Sequence, residues 1–486
     1  MGDVGPPRAP PTCRLDRSAR HCADPEYPLV GHAVSSADQA GGRPDPNAAR
    51  TELASWVACT VVAMTGTRPL HIGFVATRFA GTDGVSLESE KWAVELRAMG
   101  HDVFYFAGIV DRPAGQSREV PEAFFGHPDV AAISASVFGA ATAARPESVS
   151  RAIDQLSAHL RSELRAFVQD YELDLLLPEN ALAIPMHLPL GLAITQLAAE
   201  TGMPVLAHHH DLPWERQRFL VNSVADILGT AFPPPLPNVR HVCINSAQQA
   251  EIARRLGRVA RVIPNVMDFE HPPPAPDRVT AGLRAGLGLA DDEVFALQPV
   301  RVIPRKGIEH AVELVARLGR PARLVISHAS GDEGMDYEAR IREFARLLGV
   351  DVLWAADRVA DVRGATADGR PSYSLADMYD ACDLVTYPSL IEGFGNAYLE
   401  AVYHRRPVLL NRYPVYDLDI RPTGVRNIEM NGFVTEAAVE ATRALLDDPA
   451  RIAEWTEANY QLGLRHFSHR VVRDGLRAEL EAFFPA

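Results

Sequence analysis

The chain of 486 residues contains almost no lysine: of its 48 cationic side chains 46 are arginine, leaving Lys91 and Lys306. Arginine written nearly everywhere is the mark of a coding bias, so the two places that keep an ammonium invite a chemical reason. Cysteine is also scarce, with five residues (Cys13, Cys22, Cys59, Cys243, Cys382) and no C-x-x-C spacing. That excludes a disulfide scaffold and a zinc knuckle and fits a reducing, cytoplasmic setting. No apolar run reaches the ~18 residues of a helical membrane span, so no strong membrane association is expected. Cations are outnumbered by acids, 48 against 62, for a net charge of −14. Neither a nucleic acid nor an anionic membrane surface is therefore expected as the main partner, since both require a basic face.

What is present is ordinary for a soluble globular chain: 47% hydrophobic and 23% charged residues. Residues 1–66 stand apart, rich in Pro, Gly, Ala, Arg and Ser and without sustained periodicity. They predict a disordered tail or, equally, an over-long reading frame with Met64 as the true start. From Leu70 onward short apolar runs alternate with amphipathic stretches. Leu70–Ala76, Val103–Ala107, Leu173–Leu177, Pro204–Ala207 and Val239–Ile244 read as buried parallel strands, and Leu87–Met99, Pro146–Gln169 and Ala247–Leu256 as helices. A proline-rich piece, His271–Pro276, reads as a linker. A second series follows with strands at Val294–Gln298, Arg323–Ser327, Val352–Ala355, Leu384–Tyr387 and Val408–Leu410. The alternation predicts an α/β protein with two doubly wound, Rossmann-like domains, 67–275 and 276–466, and a cleft between the carboxyl ends of their strands.

Four stretches carry chemistry. Glu392-Gly393-Phe394-Gly395-Asn396, extending to Glu400, follows a predicted strand and opens a helix. Its glycines permit close backbone approach to a hydroxyl or anion at a helix N-terminus, and its two glutamates suit hydroxyl pairs of a sugar or ribose. A capped helix with solvated glutamates is the plain alternative. Arg301 and Lys306 bracket a proline just before another helix start. Cations there oppose the helix dipole unless an anion such as a diphosphate is bound. The loop Phe79–Ser86, with Gly81, Asp83 and Gly84, is glycine-rich but lacks G-x-G-x-x-G, so the nicotinamide fingerprint is absent. Lys91, farther along that helix, is expected to pair with Glu88 or Glu95. The run His208-His209-His210-Asp211 is expected directly after the strand Pro204–Ala207, for acid–base or electrostatic work or, alternatively, a metal. Glu179 and Asn180 are expected to line the same cleft. Trp214, Arg216 and Arg218 are candidates for acceptor contacts or an ordinary helix start.

Together these stretches resemble the retaining GT-B glycosyltransferases of family GT4, over about residues 70–483. Glu392–Glu400 resembles the family's E-x7-E element, Arg301 and Lys306 its donor-diphosphate cations, and Pro264–Asp268 its segment closing the first domain. The resemblance implies a nucleotide-diphosphate sugar as donor and a small-molecule acceptor, with no tightly bound cofactor and no obligatory divalent metal. It implies that Glu400 holds the donor ribose and Glu392, with the backbone of Gly393–Asn396, the transferred sugar. Gly81 and Gly84 would belong to the donor side, and His210 or His208 would stand near the reacting carbon. Residues 467–486 would form a helix crossing back to the first domain. The stretches around Gly81, Asn180 and His210 resemble mannosylglucosylglycerate synthases more narrowly. That implies GDP-mannose, with UDP-glucose next, and an anionic glycoside acceptor such as glucosylglycerate, with Arg78, Asp83, Glu179, Asn180, Asp211, Trp214, Arg216 and Arg218 on the acceptor side. A nucleotide-sugar epimerase, a glycoside phosphorylase and a non-catalytic sugar-nucleotide binder are the rival readings.

Overall fold

The structure is a computed structural model and describes residues 68–81, 84–139, 144–330 and 335–485. The expectations for the tail and for Asp83 lie outside the described residues.

The first half is a seven-stranded sheet of β1 (His71–Val75), β2 (Asp102–Ala107), β3 (Ser117–Glu119), β4 (Leu175–Pro178), β5 (Val205–His209), β6 (Val239–Cys243) and β7 (Ala260–Val262), in the order β3-β2-β1-β4-β5-β6-β7. The second half is a six-stranded sheet of β8 (Val294–Gln298), β9 (Ala322–Ile326), β10 (Val352–Trp354), β13 (Leu384–Tyr387), β14 (Val408–Asn411) and β15 (Ile428–Met430), in the order β10-β9-β8-β13-β14-β15. A small hairpin, β11 (Gly364–Ala365) with β12 (Pro371–Ser372), projects between β10 and β13 in sequence. Every pairing within the two large sheets is parallel.

The apolar runs dictate this. β4 and β8 are buried at every position, as strands covered by helices on both faces must be. Each Leu or Val so buried stabilises the fold by roughly 1.5–3 kcal/mol. The two-fold doubly wound architecture expected from the sequence is the one found. Strands β3, β7 and β15 and the hairpin were not anticipated, because two or three residues carry almost no periodic signal.

Both sheets reverse winding direction beside their first strand, between β1 and β4 and between β8 and β13. Loops leaving neighbouring strands diverge there and open a crevice at the carboxyl ends, the usual place for a ligand in such sheets. The loops after β4, β8 and β13 carry Glu179, Lys306 and Glu392.

The last helix, His469–Phe483, packs on the first, Gly84–Ala98. Val472, Leu476 and Leu480 join Trp92, Leu96, Ile72 and Ile263 in one buried cluster. Arg473 bonds Glu95 at 2.6 Å, and the buried Glu479 takes both Arg240 and Arg261. The terminal helix is thereby part of the first half's core, while the helix before it packs on the second half.

Candidate active site

The histidine run is not a loop following its strand, as the sequence reading placed it; β5 itself extends through His209. Successive side chains of a strand point to opposite faces, and that alternation sorts the run. His208 and His210 fall on one face and both reach Glu179 Oε2, at 2.9 Å from His208 Nδ1 and 3.2 Å from His210 Nε2. His209 falls on the other face and meets His241, with 3.0 Å between ring nitrogens. His208 also stacks on Trp92, with centroids 3.9 Å apart.

Burial and charge act differently on these groups. Burial pushes His208 and His209 down from the ordinary imidazole value. Burial acts on His210 in the same direction, but hydrogen bonding and the charge of Glu179 outweigh it and leave His210 raised. Glu179 would itself be raised by burial, and the two histidines hold it below the ordinary carboxylate value. Glu179 thus favours a proton on the His210 ring, while burial disfavours one on His208.

Glu179 and Asn180 were expected to line the cleft toward an acceptor. Instead the Glu179 carboxylate is completely enclosed and turned to the histidines. Asn180 Oδ1 accepts from the amides of His210 and Asp211 at 3.0 and 3.2 Å, fixing the strand's exit. Gln248 continues the support, donating to the His210 carbonyl and to Glu215 Oε2, each at 3.0 Å.

Across from the histidines stands the second half's glycine-rich turn. Gly395 adopts φ +129°, and a Cβ there would lie 2.4 Å from Tyr413 Oη, so only glycine fits. Tyr413 in turn donates to the Phe394 carbonyl at 2.8 Å. The helix Asn396–Tyr403 starts immediately after, with its first amides at the turn. Gly393 is held against the first half: a Cβ on it would be 3.5 Å from the His210 carbonyl oxygen. Asn245 Nδ2 donates to the Gly393 carbonyl at 2.8 Å, and Asn265 Nδ2 to Asn396 Oδ1 at 2.7 Å. Gly84, at the start of the first helix, also looks onto Asn396 Nδ2, 3.9 Å from its ideal Cβ.

Glu392 is buried between cations. Lys306 Nζ bonds one carboxylate oxygen, and Arg305 Nη1 the other at 3.1 Å. Burial alone would raise Glu392, but Lys306 and Arg305 hold it below its ordinary value, while burial pulls Lys306 down. The ammonium also lies 5.7 Å from the centre of the Tyr387 ring. Arg301 is exposed on the same loop, close enough that its charge bears on both Lys306 and His328. Glu400, one turn into the helix that the glycine turn opens, is half-buried and accepts from Tyr379 Oη at 2.9 Å.

The structure therefore brings His210 against Gly393 and Asn265 against Asn396 across the cleft, with Glu392 and Lys306 joined on the second half's side. The acceptor-side candidates are occupied with local partners. Arg216 pairs with Asp211, Arg218 lies over Phe219 at 4.6 Å, and Arg78 lies over Phe125 at 5.9 Å. Trp214 was a candidate for sugar stacking, but it packs against a buried cluster with Arg255 4.5 Å above its ring. Gly81 is exposed and donates its amide to Asp111 at 3.0 Å. Lys91 follows the expected pairing, 2.8 Å from Glu88, and adds a bond to the Val266 carbonyl. Arg305, Asn245, His328 and Tyr413 were missed. Of these only Arg305 had a sequence signal, its place beside Lys306.

No family model matches the chain. It is 32% identical over 444 residues to the mannosylglucosylglycerate synthase of Thermotoga maritima, an alignment that covers 85% of this chain and 100% of that protein. The chain belongs to the mannosylglucosylglycerate synthase family. A second such synthase, from Petrotoga mobilis, is 29% identical over 391 residues, 74% of this chain and 86% of its own length. In fold, an Anabaena protein solved with UDP and glucose superposes with a TM-score of 0.59 at 15% identity, over 85% of this chain and 100% of that one. The family member described here thus has the GT-B architecture and is a hexosyltransferase, acting between a nucleotide sugar and a small acceptor. Among its described residues no helix is long and apolar enough to cross a membrane.

Proposed function

We propose that the chain transfers mannose from GDP-mannose to glucosylglycerate or a closely similar anionic glycoside, with retention of the anomeric configuration and without an obligatory divalent metal. The full-length match to a protein named for that product carries the reading. The site supplies chemistry that suits it. Lys306, with Arg301 at the loop's mouth, offers positive charge where a diphosphate leaving group would gather negative charge. The Gly393–Asn396 turn gives amides at a helix start for the sugar's hydroxyls, Glu392 a hydroxyl acceptor, and Glu400 an acceptor for the ribose. The bond from Asn245 to Gly393 and the approach of Gly393 to His210 draw the two halves together there, as excluding water from the bond being broken would require.

The test is a product assay with GDP-mannose and UDP-glucose, each offered with glucosylglycerate, glycerate and glucose, in buffer with and without chelator. Proton NMR of the product reads its anomeric configuration. An α-linked mannosyl product from GDP-mannose and glucosylglycerate, formed equally with chelator, is the expected result. Turnover with UDP-glucose alone, an inverted product or abolition by chelator would overturn the corresponding part.

A further inference from the structure

One feature of the first half has no part in the donor contacts proposed above: a fully buried carboxylate shared by two histidines, His208 in β5 and His210 just beyond it. Glu179 Oε2 is the common acceptor, and among the described residues no group bonds its second oxygen, Oε1. His208 spends Nδ1 on Glu179 and buries an Nε2 that has no partner among the described residues, as suits a neutral ring whose Nε2 is a lone pair. His210 spends Nε2, which leaves Nδ1 as its remaining nitrogen, on the residue whose carbonyl adjoins Gly393.

We propose that Glu179 is a positioning residue for hexosyl transfer: it fixes the His210 ring through Nε2 and keeps it protonated, so that Nδ1–H is a hydrogen-bond donor to the oxygens around the reacting sugar carbon. The groups bearing on His210 are Glu179 just after β4, Glu88 on the first helix, His208 in β5 two residues before it and the adjoining Asp211. Three of the four are acidic, and among the described residues Glu179 alone makes a hydrogen bond to the ring. Burial works against the proton, so the carboxylate decides whether the ring keeps it. Removing its charge while keeping its shape returns control to burial.

A metal ion is the competing use of the same atoms, since the three ligand atoms lie within 4.8 Å of one another. Metal-bound histidine normally donates its other ring nitrogen to an acceptor, and the orphaned Nε2 of His208 lacks one. The hydrogen-bonded reading accounts for both histidine rings and the metal reading does not.

The inference rests on the hexosyltransferase assignment and not on which sugar is moved. The experiment compares wild type, Glu179→Gln and His208→Phe. The His210 ring is followed by nitrogen-correlated NMR, assigned with His210→Gln, and turnover is followed from pH 5.5 to 9 with whichever donor the wild type uses. Glu179→Gln should move the His210 titration and the alkaline fall of kcat to lower pH together, by about one unit or more. It should also lower kcat on the order of 100-fold, the scale of a lost proton-carrying group, with donor KM changed less than threefold. His208→Phe leaves Glu179 to His210 alone, so both curves should move to higher pH, and this variant decides the matter if Glu179→Gln does not fold. The NMR readout needs no substrate, so an error in the donor assignment does not disturb it. Unmoved His210 titration in both variants, or a loss carried by KM with an unchanged pH profile, would overturn the proposal. So would a stoichiometric metal that co-purifies with wild type and is missing from Glu179→Gln.

Discussion

The side-chain amide of Asn245 joins the two halves by donating to the Gly393 carbonyl at 2.8 Å, while its Oδ1 caps the helix Ser246–Leu256 through the Gln248 amide. One residue thus serves a helix end in the first half and the glycine turn in the second. Serine keeps the cap and is too short to keep the cross-cleft bond. Asn245→Ser should leave stability within about 0.5 kcal/mol of wild type. It should raise donor KM about five- to tenfold, the equivalent of one hydrogen bond. Urea denaturation beside steady-state kinetics checks both numbers.

Gly395→Ala forces a side chain onto a backbone at φ +129° and onto Tyr413 Oη. A loss of about 2–4 kcal/mol is expected from strain and overlap combined. Tyr413→Phe removes the obstructing hydroxyl but not the backbone strain, so the double variant should recover only part of the loss. Full recovery in urea denaturation would show that the φ angle imposes nothing.

Lys306→Met leaves Glu392 enclosed with Arg305 as its remaining cation, and should cost about 3–5 kcal/mol, the usual penalty for breaking a buried pair. Adding Glu392→Gln removes the uncompensated charge and should restore most of the stability. Donor affinity, measured by calorimetry with GDP-mannose, should stay lost in both variants. A double variant that regains donor binding would assign Lys306 to the fold alone.

His187 and His241 are buried and neutral, each pushed down to about 4 by the loss of water. An unfolded chain protonates them near 6.5, so it binds more protons than the folded one between those values. Their contribution is therefore whole above pH 6.5 and is lost as pH falls toward 4. Roughly 3 kcal/mol per histidine is at stake across that window. His241→Gln should flatten the decline in urea midpoint between pH 7 and 4.5, and an equally steep decline would exclude His241 as a cause.

The βα alternation made the doubly wound sheets legible, because buried parallel strands such as Leu175–Pro178 and Val294–Gln298 are continuous apolar runs. The Glu392–Glu400 stretch was legible because glycine and carboxylate at a helix start have few cheap uses. The histidine run was half legible. Its residue types pointed to a site, but which ring faces where depends on β5 continuing to His209, and a histidine carries no strand signal. Glu179 illustrates the remainder. Its neighbours come from 29 and 31 residues away, so only the β4–β5 pairing reveals that it belongs to His208 and His210.

The lysine scarcity has a practical side. Lys91 is held by Glu88 and the Val266 carbonyl, and Lys306 by Glu392. Their side chains are only 21% and 9% exposed, so an acylating reagent reaches either ammonium slowly. The rate at which Lys306 takes up such a reagent, read by mass spectrometry, becomes a clock for the opening of the cleft, and a bound donor should slow it.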